Sequence, residues 1–259
     1  MILHCADRIL DLSVPRIMGV LNATPDSFSD GGQFTSVNNA LNHAQCMVDD
    51  GAVIIDVGGE STRPGAEPVS EQQELDRVIP IIEKISSHLD VCISVDSSSP
   101  QVMLAAKAAG AHMLNDVRAL QREGAIKAAS ETGLPICLMH MQGQPETMQA
   151  NPDYSQVVND VHGFLQEKLN ACVAAGIPKS NLLIDPGFGF GKTLQHNYQL
   201  LANLKRFEDL EVPLLIGLSR KSMIGAVLQN QDGIVRSVED RVMGSVAGAV
   251  VAAMKGAHI

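Results

Sequence analysis

The stretch LLIDPGFGFGKTLQHN, residues 182–197, combines a strand signal, a glycine-rich turn and the start of a helix. An apolar run ends at Asp185, and three glycines then alternate with two phenylalanines before Lys192. The glycines invite comparison with two nucleotide-binding loops, and counting excludes both. A phosphate loop needs glycine where Pro186 stands, and a dinucleotide fingerprint needs glycine where Lys192 stands. The stretch therefore predicts a tight turn between a strand and a helix.

The same order of strand, turn and helix recurs along the chain. Short apolar runs that suit buried parallel strands lie at residues 17–21, 52–57, 91–95, 112–115, 135–139, 182–185 and 213–217. Between them, amphipathic patterns predict helices at about 37–50, 70–88, 100–109, 122–132, 156–175, 195–206 and 236–255. Ser70 begins a capping box, and Pro100 suits a first helical position.

This alternation predicts the fold class, a parallel α/β protein. Seven units favour a TIM (β/α)8 barrel over an open sheet, and residues 2–13 predict a short N-terminal hairpin. The segments GAVII (51–55) and GAHML (110–114) each lead from a helix into a strand, and the chain finishes on a similar segment, GAHI (256–259). We therefore expect one barrel domain over residues 1–259 that lacks most of its last β/α unit. Either the chain is truncated relative to a complete barrel, or a partner supplies the missing edge.

Composition limits the kinds of partner. The net charge of −10 argues against nucleic acid and anionic membranes, and aromatic residues make up only 3% of the 259 residues. The chain contains no recognisable signal segment and no apolar run long enough to span a membrane. Its five cysteines are widely spaced, and Cys92, Cys137 and Cys172 lie in apolar segments. These features predict a cytoplasmic protein with free thiols.

Polar residues follow the predicted strands, where the catalytic rim of such a barrel lies. Taken singly, each has an ordinary structural explanation: an Asp after a strand forms turns, His140 is a hydrogen-bonded structural residue, and Asp116 caps a turn or pairs with Arg118. Together they would be costly to bury unless they were paired or bound a ligand. The residues are Asn22, Asp56, Asp96, Asn115, Asp116, His140, Asp185, Arg220 and Lys221.

A flat heterocycle with an amino–imino–carbonyl edge would match part of this set. Its polar edge would meet the carboxylates, the carboxamide and the ammonium group of Asp96, Asn115, Asp185 and Lys221. Met139 and Phe190 are candidates to cover its two faces. Arg63, Arg220 and the helix start at Ser222 are candidates to bind anions. The spacing predicts no dedicated metal cluster, and Asn22 would hold Mg²⁺ only together with substrate phosphates and water.

Seven segments of the sequence closely resemble those of one family, the bacterial dihydropteroate synthases. GVLNATPDSFSDGG (19–32) and IIDVGGESTRPGA (54–66) are similar to the two signatures of that family. SVDSSSP, LNDVRAL, CLMHMQG, DPGFGFGK and GLSRKSMIG follow in the same order as in the family. The resemblance runs from about residue 10 to the end of the chain.

The resemblance implies a TIM-barrel transferase of folate biosynthesis. Such an enzyme condenses 6-hydroxymethyl-7,8-dihydropterin pyrophosphate with p-aminobenzoate to give 7,8-dihydropteroate and pyrophosphate. The implied mechanism is Mg²⁺-assisted departure of pyrophosphate with attack by the arylamine. The resemblance also implies small-molecule substrates, inhibition by sulfonamides, a cytoplasmic homodimer, and no nucleic-acid or membrane partner.

The resemblance further implies roles for matching residues. The pterin site would comprise Asp96, Asn115, Met139, Asp185, Gly217 and Lys221. The p-aminobenzoate pocket and its loops would comprise Phe28, Asp30, Thr62, Arg63, Pro64, Phe190, Arg220 and Ser222. Asn22 would contact Mg²⁺ and the pyrophosphate, and the catalytic group would be Asp96, Asp185, Lys221 and Arg63. Lys192 receives no role.

Two alternatives stay open at this point. A methyltetrahydrofolate–corrinoid methyltransferase would share the barrel and the pterin-binding carboxylates, but it would not need the SFSDGG and STRPG loops or the SRKS corner. An inactive truncated fragment would follow from the missing last unit, because the synthases continue after GAHI into a strand whose Arg and His help to bind pyrophosphate.

Overall fold

A computed structural model gives the fold of residues 1–23, 32–61, 69–143, 147–229 and 233–259, with the side chains of residues 32–35 left out of the description. An antiparallel hairpin opens the chain, in which β1 (Ile2–Cys5) pairs with β2 (Arg8–Asp11). Six parallel strands follow, each paired with the next in chain order: β3 (Met18–Asn22), β4 (Ile54–Gly58), β5 (Cys92–Asp96), β6 (Met113–Asp116), β7 (Ile136–Met139) and β8 (Leu182–Asp185).

Helices alternate with these strands, as the sequence pattern predicted. They are α1 (Gly32–Asp49), α2 (Glu71–His88), α3 (Pro100–Ala109), α4 (Ala125–Thr132), α5 (Val157–Ala174), α6 (Leu194–Ala202), α7 (Ser222–Val227) and α8 (Val242–Met254). Short 3-10 helices span Lys179–Asn181, Leu204–Leu210 and Glu239–Arg241. The predicted helix at 195–206 therefore divides into α6 and a 3-10 segment, and α8 begins later than predicted. None of the helices in the described residues combines the length and apolar character that a membrane crossing requires.

Local signals explain the helix boundaries. The Ser70 hydroxyl accepts a hydrogen bond from the Gln73 backbone N–H, and the Gln73 side chain accepts one from the Ser70 N–H, which confirms the predicted capping box. Pro100 occupies the first turn of α3, after the cap residue Ser99. Gly110 ends that helix with φ of 104°, a conformation that glycine adopts without strain.

The seventh predicted strand, residues 213–217, is only partly formed. It meets β8 through one parallel bridge between Ile184 and Leu214, with hydrogen bonds from the Ile184 N–H to the Pro213 carbonyl and from the Leu215 N–H to the Ile184 carbonyl. Pro213 has no N–H with which to extend the pairing before the bridge, and β8 ends at Asp185 just after it, so regular pairing is confined to this bridge. Residues 213–217 therefore run parallel to β8, as a barrel strand would, but pair with it over only one bridge.

The last residues of the chain enter the eighth position, as the recurring GAHI segment predicted. The His258 N–H donates to the Leu214 carbonyl, and the Ile259 carbonyl accepts from Ile216, on one side. On the other side the His258 carbonyl accepts from the N–H of Arg16, just before β3. These residues therefore lie between the seventh segment and the first barrel strand, which is the order a closed barrel requires. That residues 1–259 form one domain stays a prediction.

The faces of the barrel strands differ in what they contact. Outward residues such as Ile55, Ile93 and Ile184 pack in one large apolar cluster with the helices. Inward residues near the amino ends of the strands form a second cluster with the hairpin, which closes that end of the barrel: Leu3, Cys5, Leu10, Leu12, Ile54, Cys92, Met113, Cys137, Leu183 and Leu215. All five cysteines are free thiols, and Cys92, Cys137 and Cys172 are buried as predicted.

The hairpin supplies a test of this closure. Leu3 is 1% exposed within the inner cluster, whereas its neighbour Ile2 is 54% exposed on the opposite face of the same strand. We expect Leu3→Ala to lower the free energy of unfolding by about 2–5 kcal/mol, because it leaves a cavity in the barrel floor. The matched control Ile2→Ala should stay within about 0.5 kcal/mol. Urea denaturation followed by circular dichroism measures both, and equal losses would contradict the closure of the barrel by the hairpin.

Candidate active site

The carboxyl ends of the parallel strands bring the predicted polar side chains to one rim of the barrel. Backbone pairing places Asp96 of β5 beside Asn115 of β6, and Met139 of β7 beside Asp185 of β8. Each of these residues has the inward parity of its strand, two or four residues beyond the apolar cluster that closes the other end. The structure thus brings together the residues predicted to hold the heterocycle.

A buried acidic cluster occupies one side of this rim. The Asn115 Nδ2 donates to the Asp56 Oδ2 at 2.9 Å, and the Asp56 Oδ1 is buried without a hydrogen-bond partner among the described residues. Burial raises the pKa of Asp56, although the nearby side chains of Ser94 and Asn115 oppose the rise. Burial and the neighbouring charges, first Asp56 and then Asp116, hold the pKa of Asp96 well above its usual range. The cluster is short of hydrogen-bond donors and suits a ligand that brings N–H groups.

Asp185 and Lys221 form the opposite side of the rim. Burial raises the pKa of Asp185, opposed chiefly by the positive charge of Lys221 and by a hydrogen bond of 2.7 Å from the Gly187 N–H to the Asp185 Oδ1. Burial lowers the pKa of Lys221 to about 8, opposed by Asp185. A β-carbon at Gly217 would lie 3.8 Å from both the Asp185 Oδ2 and the Lys221 Nζ. Because glycine has no side chain, the space between these two charged groups stays open.

Apolar side chains border the charged groups. Met139 belongs to a small buried cluster with Val117, Met141 and Met148, and the half-buried ring of Phe190 packs against that cluster. The Lys221 Nζ lies 4.5 Å from the centroid of the Phe190 ring, within the range of a cation–π contact. Met139 and Phe190 therefore stand on the same side of the site, where a flat ligand would find apolar contact. Their predicted place over the faces of a ring stays a prediction.

The corner that carries Lys221 has a constrained backbone. Arg220 has φ of 55°, a left-handed conformation that costs a non-glycine residue free energy. Two contacts hold it there: the Arg220 N–H donates to the Ser245 Oγ at 2.8 Å, and its carbonyl accepts from the Arg241 Nη1 at 2.9 Å. Ser222 is exposed and begins α7, as predicted. The Arg220 turn thus directs consecutive residues toward the site and into the helix.

Other predicted residues are placed less completely. Asn22 is exposed at the end of β3 and pairs with Gly58, which in turn pairs with Asp96. It therefore lies at the same rim as the acidic cluster. No group of three or more His, Cys, Asp or Glu side chains suited to a metal ion occurs in the described part of the chain. Five predicted residues lie outside the described residues: Phe28, Asp30, Thr62, Arg63 and Pro64.

A second polar network lies behind the rim, and the sequence predicted only the part that Asp116 plays in it. Arg118 forms a two-pronged ion pair with Glu60, at 2.9 and 3.2 Å, and both side chains are mostly buried. Asp116 accepts hydrogen bonds from the Ser98 hydroxyl and from the backbone N–H groups of Arg118 and Leu120. Asp116 is thus the turn former that the sequence suggested, while Arg118 pairs elsewhere. The network fixes the exits of β4, β5 and β6 relative to one another.

The glycines of residues 186–191 are required by a neighbouring segment. Gly187 and Gly191 have φ of 70° and 61°, and each lies against the exit of β7. A β-carbon on Gly187 would stand 1.9 Å from the His140 carbonyl oxygen, and one on Gly191 would stand 2.5 Å from that of Gln142. The alternating glycines therefore allow two loop backbones to touch, which explains the pattern that resembled a nucleotide loop.

Comparison with known proteins agrees with this geometry. The family model described as pterin binding enzyme matches residues 18–259. A dihydropteroate synthase of Haemophilus influenzae is 56% identical over 257 residues, which cover 99% of this chain and 91% of that protein.

Solved structures agree as well. A Yersinia pestis dihydropteroate synthase described as a sulfonamide drug complex aligns with a TM-score of 0.92 at 55% identity, covering 99% of this chain and 91% of that chain. A Xanthomonas albilineans dihydropteroate synthase in complex with 7,8-dihydropteroate aligns with a TM-score of 0.88 at 47% identity, covering 99% of this chain and 90% of that chain. These names favour the synthase over the methyltransferase that shares its barrel.

The contact between the two loops can be tested at Gly187. We expect Gly187→Ala to destabilise the protein by more than about 3 kcal/mol, because the new methyl group overlaps a backbone carbonyl and the positive φ adds strain. Gly133 is the matched control, since its φ of 64° is similar but its side faces open space. Gly133→Ala should cost only about 1 kcal/mol. Thermal melting measures both, and equal losses would contradict the steric reason.

Proposed function

Because the chain belongs to the pterin-binding enzyme family as a dihydropteroate synthase, we propose how its own residues hold the two substrates. The observation that carries the proposal is a set of two carboxylates, one carboxamide and one ammonium group that lie buried or half-buried at the carboxyl-end rim. These groups belong to Asp96, Asn115, Asp185 and Lys221. The reaction joins 6-hydroxymethyl-7,8-dihydropterin pyrophosphate to p-aminobenzoate and releases 7,8-dihydropteroate and pyrophosphate.

The pterin ring fits the donors and acceptors of the rim. Its amino and ring N–H groups would donate to the carboxylates of Asp96 and Asp185, and its carbonyl would accept from the Lys221 ammonium group. Asp56 takes one Nδ2 hydrogen of Asn115, which leaves the Asn115 carbonyl oxygen to accept from the ligand. Gly217 leaves space for the ring between the two charges, and Met139 offers apolar contact.

The second substrate, p-aminobenzoate, would bind closer to the outer edge of the carboxyl-end rim. We assign its pocket to Phe190, to the Arg220–Ser222 corner and to the predicted loop residues, with the backbone N–H groups at the start of α7 near its carboxylate. The sulfonamide complex of the Yersinia pestis relative supports a small-molecule site of this kind. Sulfonamides are accordingly proposed as inhibitors of this chain.

The chemical step needs few catalytic groups. The bond between the exocyclic pterin carbon and the pyrophosphate oxygen breaks as the arylamine nitrogen bonds to that carbon, and the amine releases a proton. Because an arylamine is already nucleophilic near neutral pH, no strong base is required. The rim residues orient the pterin so that its exocyclic carbon faces the amine, and Arg63 is proposed to neutralise the leaving group.

Magnesium is a further proposal. Asn22 offers one exposed carboxamide oxygen at the end of β3, a suitable ligand for a hard cation that keeps substrate phosphate and water as its other ligands. When bound there, Mg²⁺ would neutralise charge on the departing pyrophosphate. The described residues fit this single-ligand arrangement.

We also propose a homodimer located in the cytoplasm. Apolar side chains on α8 are exposed, including Met243 at 76% and Met254 at 78%, and a second copy of the chain would bury them. Sedimentation of the protein tests the homodimer. The five free thiols support a reducing compartment.

Product formation tests the function directly. With both substrates and Mg²⁺, we expect 7,8-dihydropteroate and pyrophosphate in equal amounts, and a chelator should stop the reaction. Asp96→Asn and Asp185→Asn should each lower kcat/KM by about 100-fold or more, because each removes a charged acceptor of the pterin N–H groups. The control Asp50→Asn changes an exposed carboxylate and should keep full activity. A wild-type chain that folds but forms no dihydropteroate would contradict the proposal.

The ionisation of Lys221 predicts a basic limit to activity. Since burial lowers its pKa to about 8, the ammonium form that donates to the pterin is lost as the pH rises through that value. We expect kcat/KM for the pterin substrate to fall above about pH 8. In Lys221→Arg the charge persists, so whatever activity remains should not fall until a higher pH. A basic limb that is the same in both proteins would rule out Lys221 as its source.

A further inference from the structure

Lys192 is a buried lysine that the proposed reaction does not use. Its side chain is 3% exposed, and its Nζ donates to the carbonyl oxygens of Gly187 at 2.8 Å and Phe190 at 3.0 Å. A third contact joins the Nζ to the His140 Nδ1 at 2.9 Å. The His140 carbonyl oxygen lies a further 3.4 Å from the Nζ, so four acceptors surround the three hydrogens of the ammonium group and no ligand is needed to satisfy them.

The contacts of Lys192 join two neighbouring parts of the site. Gly187 and Phe190 belong to the loop that follows β8, whereas His140 follows β7. Burial, and then the charge of Lys192, lowers the pKa of His140 to about 3, so its imidazole stays neutral and its Nδ1 accepts the hydrogen bond. Lys192 therefore binds the exits of two neighbouring strands from within.

The backbone of Lys192 is itself anchored. It immediately precedes Thr193, the cap of α6, whose hydroxyl accepts from the His196 N–H at 3.1 Å. Asn197 of the same helix donates to the Thr193 carbonyl at 2.7 Å and accepts from the Gly189 N–H at 2.7 Å. The loop is thus held between a capped helix on one side and the Lys192 ammonium on the other.

This loop in turn supports Lys221, which we assign to the pterin. The Lys221 Nζ donates to the Phe188 carbonyl and lies over the Phe190 ring, so both of these contacts are with the segment that Lys192 holds. We propose that Lys192 is a positioning residue for the pterin pocket, which acts by fixing the Gly187–Phe190 backbone beneath Lys221. The proposal rests on the assigned function of this rim.

Lys192 also contributes charge to the site. Asp185 faces two cations, Lys221 and Lys192, and the thiol of Cys137 on β7. Burial lowers the pKa of Lys192 well below its usual range; the charge of Asp185 opposes this and that of Lys221 adds to it. The neutral His140 is the third titratable group beside Lys192. Removing Lys192 would therefore destabilise the ionised form of Asp185 and raise the pKa of that residue. A change in the stability of the fold alone would not produce this effect.

The experiment compares Lys192→Met and Lys192→Gln with the exposed control Lys127→Met in the full chain. For Lys192→Met we expect an affinity for the pterin pyrophosphate about 10-fold lower or worse, measured by calorimetry on folded protein. The acid limb of kcat/KM should move up by about half a pH unit or more, as Asp185 loses a cation. Lys192→Gln should regain part of the affinity but keep the shifted limb, and Lys127→Met should match the wild type.

The other possible results each reject the positioning role of Lys192, the proposed function, or both. Folded Lys192 variants with wild-type affinity and an unshifted acid limb overturn the proposal. If neither variant folds even at low temperature, Lys192 serves folding alone and the positioning role is rejected. A wild type that binds the pterin but forms no dihydropteroate rejects the proposed function while the calorimetry still tests Lys192. A wild type that binds no pterin rejects both.

Discussion

Side chains on a β-strand alternate between its two faces, and the rest of this structure depends on that constraint. In the parallel barrel the inward positions repeat every second residue, so Ile54 and Asp56 point to the same interior at different heights. The lower layer packs against the hairpin and is apolar, whereas the upper layer carries the acidic cluster. Only two to four residues along each strand therefore separate the closed end of the barrel from the end that carries the polar site. The helices need only pack on the outward face.

The carboxylates at the open end of the barrel make an unfavourable contribution to the stability of the fold. Burial raises the pKa of Asp56, Asp96 and Asp185, so the folded chain binds protons more tightly than the unfolded chain at these groups. Their contribution to stability is present at low pH and is lost as the pH rises through the raised values. Buried His140 works in the opposite direction, because its lowered pKa removes stability as the pH falls below the ordinary histidine value. The site thus holds its carboxylates ready for a donor-rich ligand at the expense of stability near neutral pH.

Much of the fold could be predicted from the sequence because its signals are local. Apolar runs, caps and glycines locate the strands and helices, and the position of a polar residue after a strand places it at the rim. The contacts between distant segments could not be predicted in this way. Asn115 meets Asp56 across 59 residues, Arg118 meets Glu60 across 58, and Lys192 meets His140 across 52. No local pattern specifies which carboxylate or imidazole a side chain reaches, since that depends on the register of neighbouring strands. The partial seventh strand is also a matter of context, because an apolar run alone does not reveal where its partner ends.

The contact between the loop at 186–191 and the exit of β7 has a consequence for redesign. With Gly187 against the His140 carbonyl and Gly191 against that of Gln142, the two loops share one packed boundary and have no slack between them. An insertion in either loop would separate these backbones and release both carbonyls from their present surroundings. Attempts to enlarge the pocket for a bulkier heterocycle are therefore better directed to side chains such as Met139 than to loop length. The two segments would have to be lengthened together, as a matched pair, if the pocket were to be remodelled through its backbone.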